Sequence, residues 1–228
     1  MPDIKNCVAV DWRQGQDHCY FFFKDTNTFS RFNNAEDRVP PGYPTAINAG
    51  NWGEFHPYAR YLRFGFTTTS GYSDYLHLFY LDGNTPKVCT YHQQTDRVVQ
   101  FERLADSQWS LLLPYFDKIV AGVWWKEPTT FLRDNIFLFL MSDGDYLRYD
   151  ARQETIEKKP TNDANWPGVG PYRYEIVTAV QFDRDLADDF YYIFLTGNRY
   201  LKYNMDEDRL VGGPDPVNDN TWPGLLRN

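Results

Sequence analysis

The sequence predicts an all-β protein, a four-bladed β-propeller made of four repeats of about 57 residues. Three observations lead to this fold class. A tryptophan element recurs four times along the 228 residues, a strand–turn–strand segment precedes each tryptophan, and a short apolar strand precedes each of those segments. Aromatic residues make up 18% of the chain, and such side chains favour strands over helices. Landmarks repeating in one order at a fixed period are the signature of a repeat architecture.

The tryptophan element is the most regular landmark. Its members are Trp52, Trp109, Trp166 and Trp222, which lie 57, 57 and 56 residues apart. In the third and fourth copies the tryptophan opens a Trp-Pro-Gly sequence. Because proline ends regular structure and glycine permits a turn, we expect the element to close each blade. The indole is then expected to fill the space between neighbouring blades.

The strand–turn–strand segments read as hairpins with Gly or Asn at their tips, which supply the positive φ angles of tight turns. They occupy residues 19–33, 76–92, 136–150 and 191–204, and the short apolar strands before them occupy 8–12, 62–66, 120–124 and 178–182. One such unit cannot bury both faces of its small sheet, whereas four units around an axis can. We therefore expect one domain over residues 1–228, with blades at 1–55, 56–112, 113–169 and 170–228.

Composition narrows the classes of partner. The formal net charge is −8, which disfavours nucleic acid, since phosphates need a basic surface. No apolar run approaches the ~20 residues of a membrane span, and the first residues lack the pattern of a secretory signal. We expect a cytoplasmic protein without nucleic-acid or membrane partners. The odd number of cysteines, Cys7, Cys19 and Cys89, favours reduced thiols over a disulfide.

The repeat motifs resemble those of the hemopexin-repeat family. The segments "NRYLKYN", "GDYLRYD" and "TWPG" carry the resemblance, which extends over essentially the whole chain. The second blade departs from the pattern, with Pro86 inside an expected strand and no Pro-Gly after Trp109. The resemblance implies that backbone carbonyls of the first strands line a central channel, where a structural cation often sits.

The channel positions implied by the resemblance are Ala9, Arg63, Ala121 and Ala179, whose backbone carbonyls are the candidate ligands of such a cation. None of the four is Asp or Asn. The fixed charge of Arg63 weakens the expectation of a metal, because like charges repel strongly where solvent is scarce. No other cofactor is expected.

Candidate ligand-binding residues follow from strand alternation and from a repeated entry sequence. Alternation places Asp11, Val123 and Gln181 on the same side of their strands as Ala9, Ala121 and Ala179. Pro-Tyr pairs enter three blades and add the candidates Tyr58, Tyr61, Tyr172 and Arg173. One interpretation is an entry loop whose tyrosines only pack between blades. The other is an aromatic, arginine-bearing mouth suited to a flat, conjugated, oxygenated ligand.

Conventional catalytic motifs are missing from the sequence. It contains no G-x-S-x-G, no H-E-x-x-H and no glycine-rich phosphate loop, and its four histidines are scattered over the repeat. The acidic segment 183–189 lacks the Gly and terminal Glu of a calcium loop and is read as a solvated approach to a hairpin. Alternation splits Trp124 from Trp125, so that one faces inward and the other faces a ligand or solvent.

Three hypotheses of function remain. The fold resembles that of fungal enzymes that catalyse intermolecular hetero-Diels–Alder reactions between a tropolone-type quinone methide and a terpene such as humulene. In that case Arg63 would polarise the carbonyl oxygen of the heterodiene, while the channel orients the two apolar reactants. The alternative is a binding protein similar to seed albumins that bind sugars, polyamines or haem, and a third is an interaction scaffold. The chemical differences between the four channel strands favour the cycloaddition enzyme.

Overall fold

The computed structural model describes residues 3–15, 18–125, 135–182 and 189–227. Residues 183–188 of the acidic segment discussed above lie outside them. Within the described residues, sixteen strands form four antiparallel sheets of four strands each, in simple up-and-down order. The first blade contains β1 Cys7–Trp12, β2 His18–Phe23, β3 Thr28–Asn33 and β4 Thr45–Ala46. The second contains β5 Leu62–Ser70, β6 Ser73–Asp82, β7 Thr85–His92 and β8 Arg97–Arg103.

The third and fourth sheets complete the ring. The third blade contains β9 Ile119–Trp125, β10 Ile136–Met141, β11 Asp145–Asp150 and β12 Thr155–Pro160. The fourth contains β13 Ile176–Phe182, β14 Phe190–Leu195, β15 Arg199–Asn204 and β16 Arg209–Pro216. The first strand of each blade packs against the first strands of both neighbouring blades, β1 against β5 and β13, and β9 against β5 and β13. The predicted all-β, four-bladed propeller is therefore confirmed.

Short helices connect the blades. The α-helical turn found among the described residues, α1 Ala49–Trp52, is capped by Asn48, whose side chain accepts a hydrogen bond from the N–H of Gly50. 3₁₀ segments span Ile4–Asn6, Gly53–Tyr61, Leu104–Asp106, Ser110–Lys118 and Gly170–Tyr172. The repeated Pro-Tyr pairs lie in three of these segments. No helix among the described residues is long and apolar enough to cross a membrane.

Each repeated tryptophan fills the space between two blades, as the sequence predicts. All four are at most 2% exposed. Trp109 illustrates the arrangement, because its ring centroid lies 5.3 Å from that of Phe66 in the second blade and 4.9 Å from that of Phe137 in the third. Trp222 joins the last blade to the first, with its ring 5.0 Å from Phe194 and 5.7 Å from Phe21. The ring of blades is thus closed by side-chain packing.

The apolar core is divided into four clusters, one at each boundary between blades. Strand β10 shows why. Its residues Phe137 and Phe139 pack toward the second blade, whereas Leu138 and Leu140 pack toward the fourth. All six residues of β10 are buried, so the strand is continuously apolar rather than alternating. Because each blade lies between two others, both faces of its sheet are covered by neighbouring blades.

The hairpin tips have the backbone conformation expected of them. Gly83, Gly144 and Gly197 at three tips have φ angles of 60°, 84° and 75°, and Asn27 at the fourth has 52°. Pro86 is accommodated as the second residue of β7, next to the tight turn. The three cysteines are buried and no disulfide joins them.

The strand pairing corrects one sequence-based alignment. The matched residues Phe22, Phe79, Phe139 and Phe194 pair with Val8, Phe64, Gly122 and Thr178. In the third blade, however, the residue equivalent to Phe22 is Leu140, because Phe137 pairs with Tyr149 as Cys19 pairs with Phe32, and Leu140 pairs with Ala121. The residues equivalent to Ala9 and Ala179 are therefore Gly65 and Gly122. Of the residues that the sequence alignment placed there, Arg63 lies two residues before Gly65 and Ala121 lies one residue before Gly122. A shift of two, as at Arg63, leaves the alternation of a strand unchanged, so the apolar pattern cannot detect it, whereas a shift of one places Ala121 on the opposite face of β9 from Gly122.

Two glycines allow the inner strands to approach each other. A Cβ added at Gly65 would lie 2.8 Å from Cγ1 of Val10 and 2.9 Å from the carbonyl oxygen of His77. A Cβ at Gly122 would lie 2.8 Å from Cδ1 of Phe66. All three distances are shorter than van der Waals contact. Neighbouring inner strands are consequently in close contact at these two positions.

We predict that Gly65→Ala destabilises the protein by about 1–3 kcal/mol, because the methyl group would overpack the contact between β1 and β5. Urea unfolding monitored by tryptophan fluorescence measures the change. Gly212→Ala is the matched control, since a Cβ there meets its nearest atom at 3.6 Å. Equal stability of the two variants would contradict the close approach.

Candidate functional site

Three clefts lie at blade boundaries. The aromatic cleft, between the second and third blades, has a volume of about 370 Å³ and is lined by Thr68, Thr69, Ser70, Tyr75, His77, Gln108, Trp109, Trp124, Asn135, Phe137 and Ala151. The basic cleft, between the first and second blades, has a volume of about 470 Å³ and is lined by Asn6, Lys24, Asp25, Arg60, Tyr61, Leu62, Arg63 and Leu81. A third cleft of about 280 Å³ separates the fourth blade from the first.

A polar network closes the axis at the end where the inner strands finish. Its centre is Arg13, immediately after β1, whose Nε donates to Oδ2 of Asp11 at 3.1 Å. Its Nη2 donates to Oε1 of Gln181 at 3.2 Å, and its Nη1 lies 3.4 Å from Oγ1 of Thr69. The guanidinium carbon lies 5.9 Å from the ring centroid of Trp124. One side chain therefore contacts residues of all four blades.

Arg13 and Asp11 form a buried ion pair. The side chains of Arg13 and Asp11 are 9% and 6% exposed. Oδ1 of Asp11 accepts the N–H of Thr67 at 2.9 Å, and the hydroxyl of Thr67 donates to the carbonyl oxygen of Asp11 at 2.8 Å. These bonds join β1 to β5 at equivalent positions. The structure thus unites the predicted residues Asp11 and Gln181 through an arginine that sequence reasoning missed. The available signal was an arginine two positions after Asp11, on the same side of an extended strand.

The aromatic cleft opens beside this network. The last residues of β5 and the side chain of Trp124 line this cleft. The ring of Trp124 stacks on Phe137 at a centroid distance of 6.3 Å and an interplanar angle of 16°. Trp124 is half-buried whereas Trp125 is 7% exposed and packs in the core, so the predicted division between the two tryptophans is confirmed.

His77 sits at the base of the aromatic cleft as a neutral group. Its Nε2 is 2.9 Å from the hydroxyl of Thr68, and its Nδ1 is 3.5 Å from that of Thr90. Burial lowers the pKa of His77 to about 4. An imidazole that stays neutral and hydrogen-bonded at pH 7 is a structural group here, not a general acid. The described lining of this cleft contains no Asp, Glu, Lys or Arg.

Arg63 lies elsewhere than the sequence predicted. It occupies an irregularity between Leu62 and Phe64 at the start of β5, so it is at the opposite end of that strand from Thr69. Its side chain is 39% exposed, and its Nη2 lies 3.9 Å from Oδ1 of the exposed Asp117. It lines the basic cleft together with Tyr61, another predicted residue.

The remaining predicted residues are distributed around the ring. Tyr58 packs on Tyr80 with ring centroids 4.9 Å apart, and Tyr172 packs against the core between the third and fourth blades. Val123 is buried in that same core. Arg173 donates to the carbonyl oxygen of Gly170 at 2.8 Å and covers the ring of Tyr174. The tyrosines of the Pro-Tyr pairs therefore pack between blades, and the structure does not gather them into one mouth.

The described residues provide no metal site made of side chains. Among the described residues, no group of three or more His, Cys, Asp or Glu side chains is arranged to hold a metal ion. The N–H of Ala9 donates to the hydroxyl of Thr178 at 3.0 Å, and this hydrogen bond links β1 to the neighbouring inner strand β13. Cation binding by the backbone carbonyls of Ala9, Arg63, Ala121 and Ala179 stays a prediction.

The comparisons with known proteins identify no family. No protein-family model matches the chain, and no curated protein matches it. One similar solved structure is a Bacteroides thetaiotaomicron structural genomics protein of unknown function, with 11% sequence identity and a TM-score of 0.38. The match covers 92% of this chain and 43% of the Bacteroides chain. Others are Kuenenia stuttgartiensis hydrazine synthase, 7% identical with a TM-score of 0.33 and coverages of 93% and 49%, and the Dos1 propeller, 7% identical with a TM-score of 0.30 and coverages of 90% and 45%. This chain spans less than half the length of each.

We predict that Asp11 and Arg13 are energetically coupled. Arg13→Met leaves a buried carboxylate without its cation and should cost about 3–5 kcal/mol of stability. Asp11→Asn keeps an acceptor for the N–H of Thr67 but leaves the guanidinium uncompensated. The double variant should lose less than the sum of the two single losses, by about 0.5–3 kcal/mol. Chemical denaturation of the four proteins measures this, and strictly additive losses would contradict the coupling.

We also predict a pH dependence that originates at His77. Its folded pKa of about 4 lies below the ordinary value of 6.5, so the unfolded chain binds more protons between these limits. Stability should therefore fall as the pH drops from 6.5 to 4, by about 1.4 kcal/mol per pH unit from this group. His18, whose pKa burial also lowers to about 4, adds a parallel contribution. His77→Gln should reduce the slope of stability against pH between pH 4 and pH 6.5 by about 1.4 kcal/mol per pH unit. An unchanged slope would rule out His77 as a source of the pH dependence.

Proposed function

We propose that this protein binds a flat, ring-bearing, oxygenated small molecule in the aromatic cleft. The observation that supports it is the half-exposed ring of Trp124, set among aromatic side chains and neutral hydroxyl and amide groups. Aromatic walls with a few polar groups are typical of small-molecule sites. The volume of about 370 Å³ lies near the lower end of the usual range for such sites, about 300–1,000 Å³.

The finer proposal concerns chemistry. We infer that the cleft orients a tropolone-type quinone methide and a terpene alkene such as humulene for an intermolecular hetero-Diels–Alder reaction. The new carbon–carbon and carbon–oxygen bonds form together, nothing leaves, and no proton transfer is required. Such a reaction suits a cleft whose histidine is neutral and whose described lining is uncharged. Holding two reactants in near-attack geometry supplies several kcal/mol of the barrier reduction.

Polarisation of the heterodiene would then come from neutral donors. The hydroxyl of Ser70 and the amides of Gln108 and Asn135 line the cleft and can donate to a carbonyl oxygen, whereas the hydroxyl of Thr69 already donates to Oδ1 of Asp74 at 2.6 Å. A positioned donor stabilises the negative charge that develops on that oxygen. The motifs of the third and fourth blades, which resemble the hemopexin-repeat family, support this proposal at the level of family. The catalytic role of Arg63 belongs to a different cleft and stays a separate prediction.

The second candidate function is binding without chemistry. Rings beside hydroxyl and amide groups also suit a neutral sugar, which stacks one face on an aromatic ring and hydrogen-bonds through its hydroxyls. The described lining of this cleft contains no carboxylate that could bind a polyamine. Haem is disfavoured at His77, because its ring nitrogens already approach two threonine hydroxyls. Turnover therefore separates the two candidates.

Substitution of Trp124 tests the site. We expect tropolone and humulene each to raise the thermal midpoint, since a ligand at 100 times its dissociation constant adds about 2.7 kcal/mol. Trp124→Ala should weaken that binding at least tenfold. Tyr72→Ala is the aromatic control, because its side chain is fully exposed, at 102%, and does not line the cleft.

The outcomes separate the hypotheses. Loss of binding in Trp124→Ala with binding retained in Arg63→Ala supports the aromatic cleft, and product formation from the two reactants supports the cycloaddition. Binding that is lost in Arg63→Ala but retained in Trp124→Ala would instead indicate that the site is the basic cleft. That result would support the catalytic role predicted for Arg63 from the sequence. Stabilisation by a methyl glycoside alone would leave a lectin and refute the cycloaddition.

A further inference from the structure

The basic cleft is a second concave site with different chemistry. Its lining brings together three cationic side chains, those of Lys24, Arg60 and Arg63, although the protein carries a net charge of −8. Its volume is about 470 Å³. It lies at the start of β5, whereas the aromatic cleft lies near the end of that strand, about 17 Å away at ~3.3 Å per residue.

The charges in the basic cleft are poorly compensated. Asp25 is the one acidic residue of the described lining, and its Oδ2 accepts a hydrogen bond from Nδ2 of Asn6 at 2.6 Å. Lys24 is half-buried and forms no ion pair with a described carboxylate. The partner of Arg63 is Asp117, at 3.9 Å and 84% exposed, a pairing that solvent screens. The cleft thus holds cationic donors that a bound anion could satisfy.

The neighbours of Lys24 set its protonation. Burial lowers the pKa of Lys24, and the positive charge of Arg63 lowers it further, while the negative charge of Asp25 acts in the opposite direction. Burial holds the pKa of the Cys7 thiol well above its usual range, so the thiol carries no charge near neutral pH. Arg60 adds another cation, and its guanidinium carbon lies 5.6 Å from the ring centroid of Tyr61. A carboxylate placed among these groups would raise the pKa of Lys24 by direct attraction.

An apolar surface adjoins the cations. Tyr61 is 50% exposed and Leu81 is partly exposed, whereas the side chain of Leu62 is fully buried in the core. A purely inorganic anion would leave this surface unused. A ligand with a charged head and an apolar body would contact both parts of the cleft.

We propose that the basic cleft binds the anion of a small organic acid, with its carboxylate between Lys24 and Arg63 and its apolar body against Tyr61 and Leu81. A planar guanidinium matches the two oxygens of a carboxylate, and the lysine ammonium adds a point charge. The site is separate from the one assigned under Proposed function and does not depend on it.

The test uses benzoate as the organic anion and inorganic phosphate as the comparison, with binding to the full chain followed by titration calorimetry. Benzoate should bind at least tenfold more tightly than phosphate. Lys24→Met and Arg63→Gln should each weaken benzoate binding at least tenfold. Arg152→Gln, an exposed position on the third blade that changes the net charge equally, should leave it unchanged. Affinity should fall as the pH rises through the pKa of Lys24.

Further variants keep the outcome decisive. Arg63→Lys should retain part of the affinity, and cooperative thermal unfolding of each variant would show that it is folded. Trp124→Ala should bind benzoate normally, which separates failure of this site from failure of the aromatic cleft. Benzoate binding that ignores Lys24 and Arg63, or phosphate binding of equal strength, would overturn the proposal.

Discussion

Each sheet of this propeller has two apolar faces, and both must be covered before any blade is stable. The four buried tryptophans meet this constraint by filling the boundaries between blades, and each boundary carries its own apolar cluster. The same requirement explains why β10 is buried along its whole length. Closure follows from it as well, because Trp222 must pack on the first blade as much as on the last. A partial ring would expose two apolar sheets to water.

This constraint also determines where ligands can bind. The tryptophans and phenylalanines fill the middle of each boundary, so clefts remain near the ends of the strands. Residues there are released from core packing and can differ between blades. Strand β5 shows the result, since the hydroxyls of Thr68 and Thr69 serve an uncharged aromatic cleft at one end and Arg63 serves a basic cleft at the other. One repeat unit thus contributes to two sites of opposite character.

The polar groups near the axis act structurally. Arg13 contacts residues of all four blades, and its charge is balanced by the buried carboxylate of Asp11. His77 is kept neutral by burial, with both ring nitrogens near threonine hydroxyls. Chemistry in the neighbouring aromatic cleft would consequently depend on orientation and neutral hydrogen-bond donors, without a titrating acid or base. The basic cleft is where charge is left uncompensated, and there an anionic ligand is the natural complement.

The sequence by itself determined the number of blades, the role of the four tryptophans, the hairpin tips and the division between Trp124 and Trp125. These features follow from short-range rules, namely the two-residue alternation of strands, the positive φ of tight turns and the burial of large apolar rings. Only the tertiary structure decided that Gly65 and Gly122, not Arg63 and Ala121, are equivalent to Ala9, because the register of each inner strand is visible only from its partner strand. The closed ring likewise brings Asp11, Arg13 and Gln181 together across most of the chain length, and it sends Arg63 to the opposite end of β5. Distances of that kind depend on how the blades pack, which no local pattern encodes.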